Sequence, residues 1–213
     1  MDLDRFRTLP LLGILRGIGA EDVAPLADVV AEAGLPALEI TMNTADAPAL
    51  IRRLVAVTCG RVMVGAGTVL SVAALDAALD AGATFIVMPT LVADVVAHCR
   101  AAGVPCFPGA LTPQEIFAAW TAGAAMVKVF PAGCFGPAYF KEVKGPFRDI
   151  ELLACGGVDA DNMGAYFAAG ASAVAFGASV FRADWLRAGE YARIGEHVGR
   201  LVQACRATRA AAA

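Results

Sequence analysis

The sequence predicts an α/β fold, a single (βα)8 TIM barrel made by residues 1–213. Three observations predict it. First, Ala-Gly followed within a few residues by an apolar run recurs at Gly34, Gly82, Gly103, Gly123 and Gly170, with separations of 48, 21, 20 and 47 residues. Each reads as a helix C-cap feeding a strand, and the separations are one or two βα repeats. Filling the doubled gaps gives eight units. Second, apolar strand-like runs alternate with helical patterns along the whole chain, which points to a parallel sheet closed into a barrel. Third, the segment after the first strand, Gly17-Ile18-Gly19-Ala20, is no dinucleotide-binding fingerprint, which places an open doubly wound sheet second.

In chain order, residues 12–17 form the first predicted strand and 21–33 the helix behind it. Residues 37–43 and 45–57 make the second pair. Strand 62–68 follows, with Ser71 as N-cap of a helix over 72–81. Strand 84–89 pairs with helix 91–102, and strand 105–109 with helix 113–122. That helix opens on Thr112, Pro113 and Glu115, a capping box with proline at its first position. Strand 126–131 precedes helix 137–144, strand 151–155 precedes helix 161–169, and strand 173–177 precedes the tail 188–207, which closes the barrel.

In such a barrel the C-terminal strand ends carry the chemistry. The sixth strand holds a single charge, Lys128, on the same side as Met126 and Phe130, with Val127 and Val129 facing the other way. A buried ammonium is costly without a partner, and a neutral amine in an apolar pocket is a nucleophile for carbonyls. A structural lysine paired with a buried carboxylate is the competing reading. On the second strand Leu38, Ile40 and Met42 face outward, which turns Glu39, Thr41 and Asn43 into the barrel. Alone, Glu39 would pair with Arg16 or Lys128. Acid and amine together at strand ends read as a general base with a Schiff-base nucleophile. Gly156-Gly157 after strand seven and Gly177-Ala178-Ser179 after strand eight suit a phosphate, since bare amides can approach the anion beside a short helix N-terminus. Ordinary tight turns are the plainer alternative.

Composition narrows the classes. Hydrophobic residues make up 58% of the chain, charged residues 17%, and the net charge is -3, so no basic footprint invites nucleic acid. The charge-free stretch 162–181 is broken by Gly164, Gly170 and Gly177 and reads as helix, cap and strand, with no membrane span. The polar, acidic start before a short apolar run predicts no signal peptide and a cytoplasmic protein. Six cysteines, at 59, 99, 106, 134, 155 and 205, lack C-x-x-C spacing and read as reduced structural thiols. His98 and His197 fall on outer helices, so no metal centre is expected.

The set Leu38-Glu39-Ile40-Thr41, Gly65-Ala66-Gly67-Thr68, Pro108-Gly109, Lys128-Val129-Phe130-Pro131, Gly156-Gly157-Val158 and Gly177-Ala178-Ser179 resembles the KHG/KDPG aldolase family in order and spacing, from about residue 15 to 181. The resemblance implies a class I aldolase that cleaves 2-keto-3-deoxy-6-phosphosugar acids, or 4-hydroxy-2-oxoglutarate, to pyruvate and an aldehyde such as glyceraldehyde 3-phosphate. It implies no metal, no cofactor and a homotrimer. By position, Lys128 matches the Schiff-base lysine and Glu39 the acid/base. Arg16 and Thr68 match the pyruvate carboxylate end, and Pro89 and Phe130 the pocket wall. Thr41 and Asn43 are expected at the sugar hydroxyls. Gly156, Gly157, Gly177, Ala178 and Ser179 match the phosphate end. Members specific for the phosphogluconate compound often carry Arg near the position of Asn43 and Thr at that of Cys155. Asn43 and the run Cys134-Phe135-Gly136-Pro137 look more like the phosphogalactonate type, which is the leading expectation, with phosphogluconate second. A phosphate-binding isomerase or synthase barrel would share the glycine loops without needing Lys128. A non-catalytic sugar-phosphate-binding barrel would bind ligand without an imine.

Overall fold

Every strand of the chain pairs in parallel, and the sheet curls until its two ends meet. The computed structural model describes residues 1–212. In sequence the strands are β1 (Leu11–Leu15), β2 (Ala37–Thr41), β3 (Met63–Gly67), β4 (Ile86–Val87), β5 (Cys106–Phe107), β6 (Gly109–Ala110), β7 (Val127–Val129), β8 (Leu152–Cys155) and β9 (Ala173–Phe176). Their order in the sheet is β5-β4-β3-β2-β1-β9-β8-β7-β6. β5 and β6 are two halves of one stave, interrupted only at Pro108, which has no N–H to give a ladder. The seam closes there: Ala125 N donates to Cys106 O at 2.9 Å and Lys128 N to Pro108 O at 2.9 Å. The predicted eight-stave barrel is therefore present, with shorter strands than expected.

The helices are α1 (Leu3–Thr8), α2 (Ala20–Glu32), α3 (Ala47–Thr58), α4 (Val72–Asp80), α5 (Ala93–Ala101), α6 (Pro113–Ala122), α7 (Gly136–Lys144), α8 (Met163–Ala168), α9 (Ala183–Arg187) and α10 (Tyr191–Ala212). The capping box at Thr112 forms as its sequence requires, with Glu115 N donating to the Thr112 hydroxyl at 3.3 Å and Thr112 N to the Glu115 carboxylate at 2.8 Å. The closing tail expected over 188–207 is helical as α10 from Tyr191 onward, and the short α9 before it is parted from it at Gly189, with φ +68°. Among the described residues no helix is long and apolar enough to cross a membrane.

Two hydrophobic layers result from the period-2 alternation of the strands. Val127, Val129, Leu38 and Ile40 face the helices, while Met126, Leu12, Met63 and Val87 fill the barrel. The inner layer has a contributor that the repeat pattern does not contain. α1 carries Phe6 into the N-terminal end of the barrel, fully buried, its ring stacked at 6.2 Å on Phe107, which in turn packs at 5.9 Å on Phe85. Arg5 ties this plug to the wall through the carbonyls of Gly60 and Arg61. With one end stopped by aromatic packing, only the C-terminal strand ends remain open.

Candidate active site

Glu39 sits at the third position of β2, flanked in register by Ile14 of β1 and Gly65 of β3. It is 1% exposed. Its carboxylate fits because Gly67 has no side chain: a Cβ there would stand 2.2 Å from Glu39 Oε1 and 2.6 Å from Cδ. Oε2 is buried with no hydrogen-bond partner. Burial pushes the carboxyl up to about 7, although the nearby positive charges of Lys128 and Arg16 pull the other way. We expect Gly67→Ala to force the Glu39 side chain aside and lower kcat by about 100-fold with the fold retained, read by steady-state kinetics beside circular dichroism. An unchanged kcat would show that the Glu39 position does not matter.

Lys128 is the middle residue of β7, in register with Leu153 of β8 and Gly109 of β6. It is 7% exposed, and its Nζ lies 5.4 Å from the centroid of the Phe130 ring. Cys155, at the end of β8, is the neighbouring group; burial raises its thiol pKa and the charge of Lys128 opposes this. Among the described residues the ion pairs all lie elsewhere, and none includes Lys128, Glu39 or Arg16. A structural ion pair is thus not what keeps acid and amine in the barrel.

The open end holds a cavity of about 270 Å³ whose wall includes Arg16, Phe130, Cys155, Gly156, Gly157, Gly177, Ala178 and Ser179. Lys128 and Glu39 are not in that wall. They lie next to it, linked through Cys155 and Arg16, the residues whose charges and burial they share. Arg16 is exposed at the mouth just past β1, and Phe130 is 41% exposed. Gly156 and Gly157 both adopt positive φ, +91° and +78°, which only glycine does without strain. Gly133 N donates to Gly156 O at 2.8 Å, and Asn162 Nδ2 to Gly157 O at 2.8 Å, so this loop is held from both sides. Opposite it, Val180 N and Phe181 N both donate to Gly177 O at 2.9 Å. Among the described residues the N–H groups of Ala178 and Ser179 have no backbone acceptor. The expected helix N-terminus is replaced by this turn, since α9 begins only at Ala183.

Thr68 and Pro89 follow the ends of β3 and β4 and are not in the wall of that cavity. Thr68 has φ +55°, a conformation that costs a β-branched residue on the order of 1–3 kcal/mol and persists only where its surroundings fix it. The next residue supplies one such restraint, Val69 N donating to Val87 O at 3.2 Å. Pro89 is half-buried, and its carbonyl carbon and oxygen come so near Gly109 that a Cβ there would stand 2.2 Å from both.

Two further expected residues, Asn43 and Thr41, also lie outside the cavity wall. Asn43 is not on the strand: β2 stops at Thr41, and Thr44 N turns back to Thr41 O at 2.9 Å, leaving Asn43 exposed in the turn. Thr41 does face inward but is fully buried, its hydroxyl 3.1 Å from that of Thr44, which also accepts Gly17 N at 3.0 Å. Neither lines the cavity. Thr44 is a site-supporting residue without a signal in the strand pattern, because it lies past the strand's end. Ile14 and Val158, also in the cavity wall, read in sequence as ordinary apolar residues.

Comparison with known proteins identifies the family. A family model described as KDPG and KHG aldolase matches residues 3–197. A 2-dehydro-3-deoxy-6-phosphogalactonate aldolase of Escherichia coli K12 is 35% identical over 176 residues, 82% of this chain and 86% of that protein. A 2-dehydro-3-deoxy-phosphogluconate aldolase of Pseudomonas aeruginosa is 39% identical over 163 residues, 76% of this chain and 72% of that protein. A solved structure described as native KDPGal superimposes with a TM-score of 0.89 at 32% identity, covering 95% of this chain and 97% of that one. The chain is an aldolase, a carbon–carbon lyase, and it belongs to the KDPG and KHG aldolase family.

Proposed function

We propose that this chain is a class I aldolase that cleaves a 2-keto-3-deoxy-6-phosphosugar acid to pyruvate and glyceraldehyde 3-phosphate, with Lys128 as nucleophile and Glu39 as acid/base. The observation that carries this is the buried, unpaired state of both groups: Lys128 at 7% exposure and Glu39 at 1%, with Glu39 Oε2 unsatisfied beside a cavity at the barrel mouth. The Lys128 amine adds to the C2 carbonyl to give a carbinolamine. Glu39 protonates its hydroxyl, which leaves as water and yields a cationic imine. That imine accepts the electron pair of the C3–C4 bond as it breaks, while the ionised Glu39 carboxylate takes the C4 hydroxyl proton and the aldehyde departs. The enamine left on Lys128 regains a proton at C3, and water releases pyruvate. Arg16 and the strained Thr68 suit the substrate carboxylate, with Pro89 and Phe130 as walls. The amides of Ala178 and Ser179, with the Gly156-Gly157 loop, suit the phosphate.

Between C4 epimers, the phosphogalactonate compound is the narrower choice. Asn43 and the absence of a threonine at Cys155 favour it, as does similarity to the phosphogalactonate aldolase and to the KDPGal structure. The phosphogluconate compound is the second reading, favoured by 39% identity to a phosphogluconate aldolase. Pyruvate release from each epimer decides: kcat/KM is expected to be higher for the galactonate epimer, and a gluconate preference would reverse the assignment. We also infer a cytoplasmic homotrimer. Support for the assembly comes from Phe117, 50% exposed and stacked on Phe147 at 5.8 Å, an apolar surface of the kind subunits bury. A monomer in sedimentation equilibrium would sink the trimer.

A further inference from the structure

Arg16 is the one charged side chain in the wall of the catalytic cavity, and it is exposed there. Among the described residues its guanidinium joins no ion pair. A long side chain without such a partner is aimed chiefly by its own backbone, so what holds that backbone matters for the site. The backbone of Arg16 lies past the last ladder pair of β1 with β2, Leu15 with Ile40. Gly17 follows with φ +65°, and a Cβ on it would meet nothing within 4 Å, so no packing fixes the chain at that point.

One hydrogen bond does. Gly17 N donates to the Thr44 hydroxyl at 3.0 Å, which holds the peptide unit that Arg16 shares with Gly17. Thr44 comes from the turn after β2. It is 6% exposed, and its hydroxyl oxygen stands 3.1 Å from that of the fully buried Thr41. The same turn is tied on its other side, where Met42 N donates at 2.7 Å to the carbonyl of Gly67, the glycine that makes room for Glu39. A hydroxyl residue just ahead of a helix often serves as its cap. Here Asp46 is the N-cap of α3, and Ala47 N donates to the Thr44 carbonyl at 3.3 Å. The backbone of Thr44 thus serves the helix, and its hydroxyl serves the end of β1.

We propose that Thr44 is a positioning residue of this aldolase: by holding the Arg16–Gly17 peptide beyond the end of β1, its hydroxyl sets where the Arg16 guanidinium meets the substrate. The proposal rests on the reading of Arg16 as a substrate contact. Thr44 itself touches no substrate and lies outside the cavity wall.

The test is a double-mutant cycle read by steady-state cleavage of the phosphorylated substrate, with circular dichroism as the check on folding. Thr44→Val keeps the shape of the side chain and removes the hydroxyl. The expected result is a KM raised about tenfold with kcat held within about threefold, since the bond-breaking groups stay in place. Thr44→Ser keeps the hydroxyl and is expected to recover most of the loss. In an Arg16→Ala background the same Thr44→Val change is expected to alter KM by less than about twofold, because there is no guanidinium left to position. If Thr44→Val does not fold, Thr44→Ala takes its place in the cycle with the same expectations. An unchanged KM in the folded variant would overturn the proposal. So would a full tenfold effect that persists without Arg16, which marks a structural role. Arg16→Ala that by itself leaves KM unchanged would instead sink the reading of Arg16 as a substrate contact, and the proposal with it.

Discussion

Lys128→Ala is expected to remove retro-aldol activity by at least about 10⁴-fold while leaving the barrel folded. No other amine shares the buried position of Lys128 on β7, so nothing can replace it as the nucleophile. Lys128 makes no ion pair among the described residues, so its removal breaks no direct salt bridge and takes from buried Glu39 only one of the two positive charges that favour its ionised form. The check is mass spectrometry after incubation with pyruvate and borohydride. Wild-type protein should gain one reduced pyruvyl group on Lys128, and the variant none. A folded wild-type protein that takes up no adduct would return Lys128 to a structural role.

Glu39→Gln should show opposite effects on catalysis and stability. As acid for the carbinolamine hydroxyl, Glu39 must enter the cycle protonated, and the carboxylate this leaves is the base for the C4 hydroxyl, so wild-type kcat/KM is expected to fall as pH rises through about 7. The glutamine variant should lose that limb and about 10²- to 10⁴-fold in kcat. On stability the substitution acts the other way. Burial raises the folded-state pKa from 4.5 to about 7. Between those values the unfolded chain has released its proton and the folded chain has not, so stability is fully present below 4.5 and falls as pH rises towards 7. The displacement corresponds to on the order of 3 kcal/mol. Glutamine carries no such burden, and urea denaturation should find Glu39→Gln more stable than wild type at pH 8 and equal to it at pH 4. A variant less stable at pH 8 would mean that the carboxylate is better solvated than its burial implies.

Both predictions concern residues that the sequence marks by parity. Lys128 against Val127 and Val129, and Glu39 against Leu38 and Ile40, fall on their faces because successive side chains of a strand alternate. The Ala-Gly punctuation gave the eight staves for a similar local reason, since a helix ending in left-handed glycine must feed whatever follows. Gly156 and Gly157 were legible through the left-handed backbone conformations that their loop requires.

What the sequence by itself determined, then, is the repeat, the faces of the strands and the chemistry placed on them. Only the tertiary structure decided where the strands stop, what plugs the barrel and which distant groups meet. Asn43 lies outside β2 because the ladder to β3 ends with Met42 N on Gly67 O, after which the chain turns at Thr44. Phe6 fills the barrel floor from a six-residue helix too short to show a period. Gly67 makes room for Glu39 across a separation that no local pattern spans. Alternation and capping are fixed by covalent geometry within a few residues, whereas strand ends and cavity walls depend on contacts that exist only once the barrel has closed.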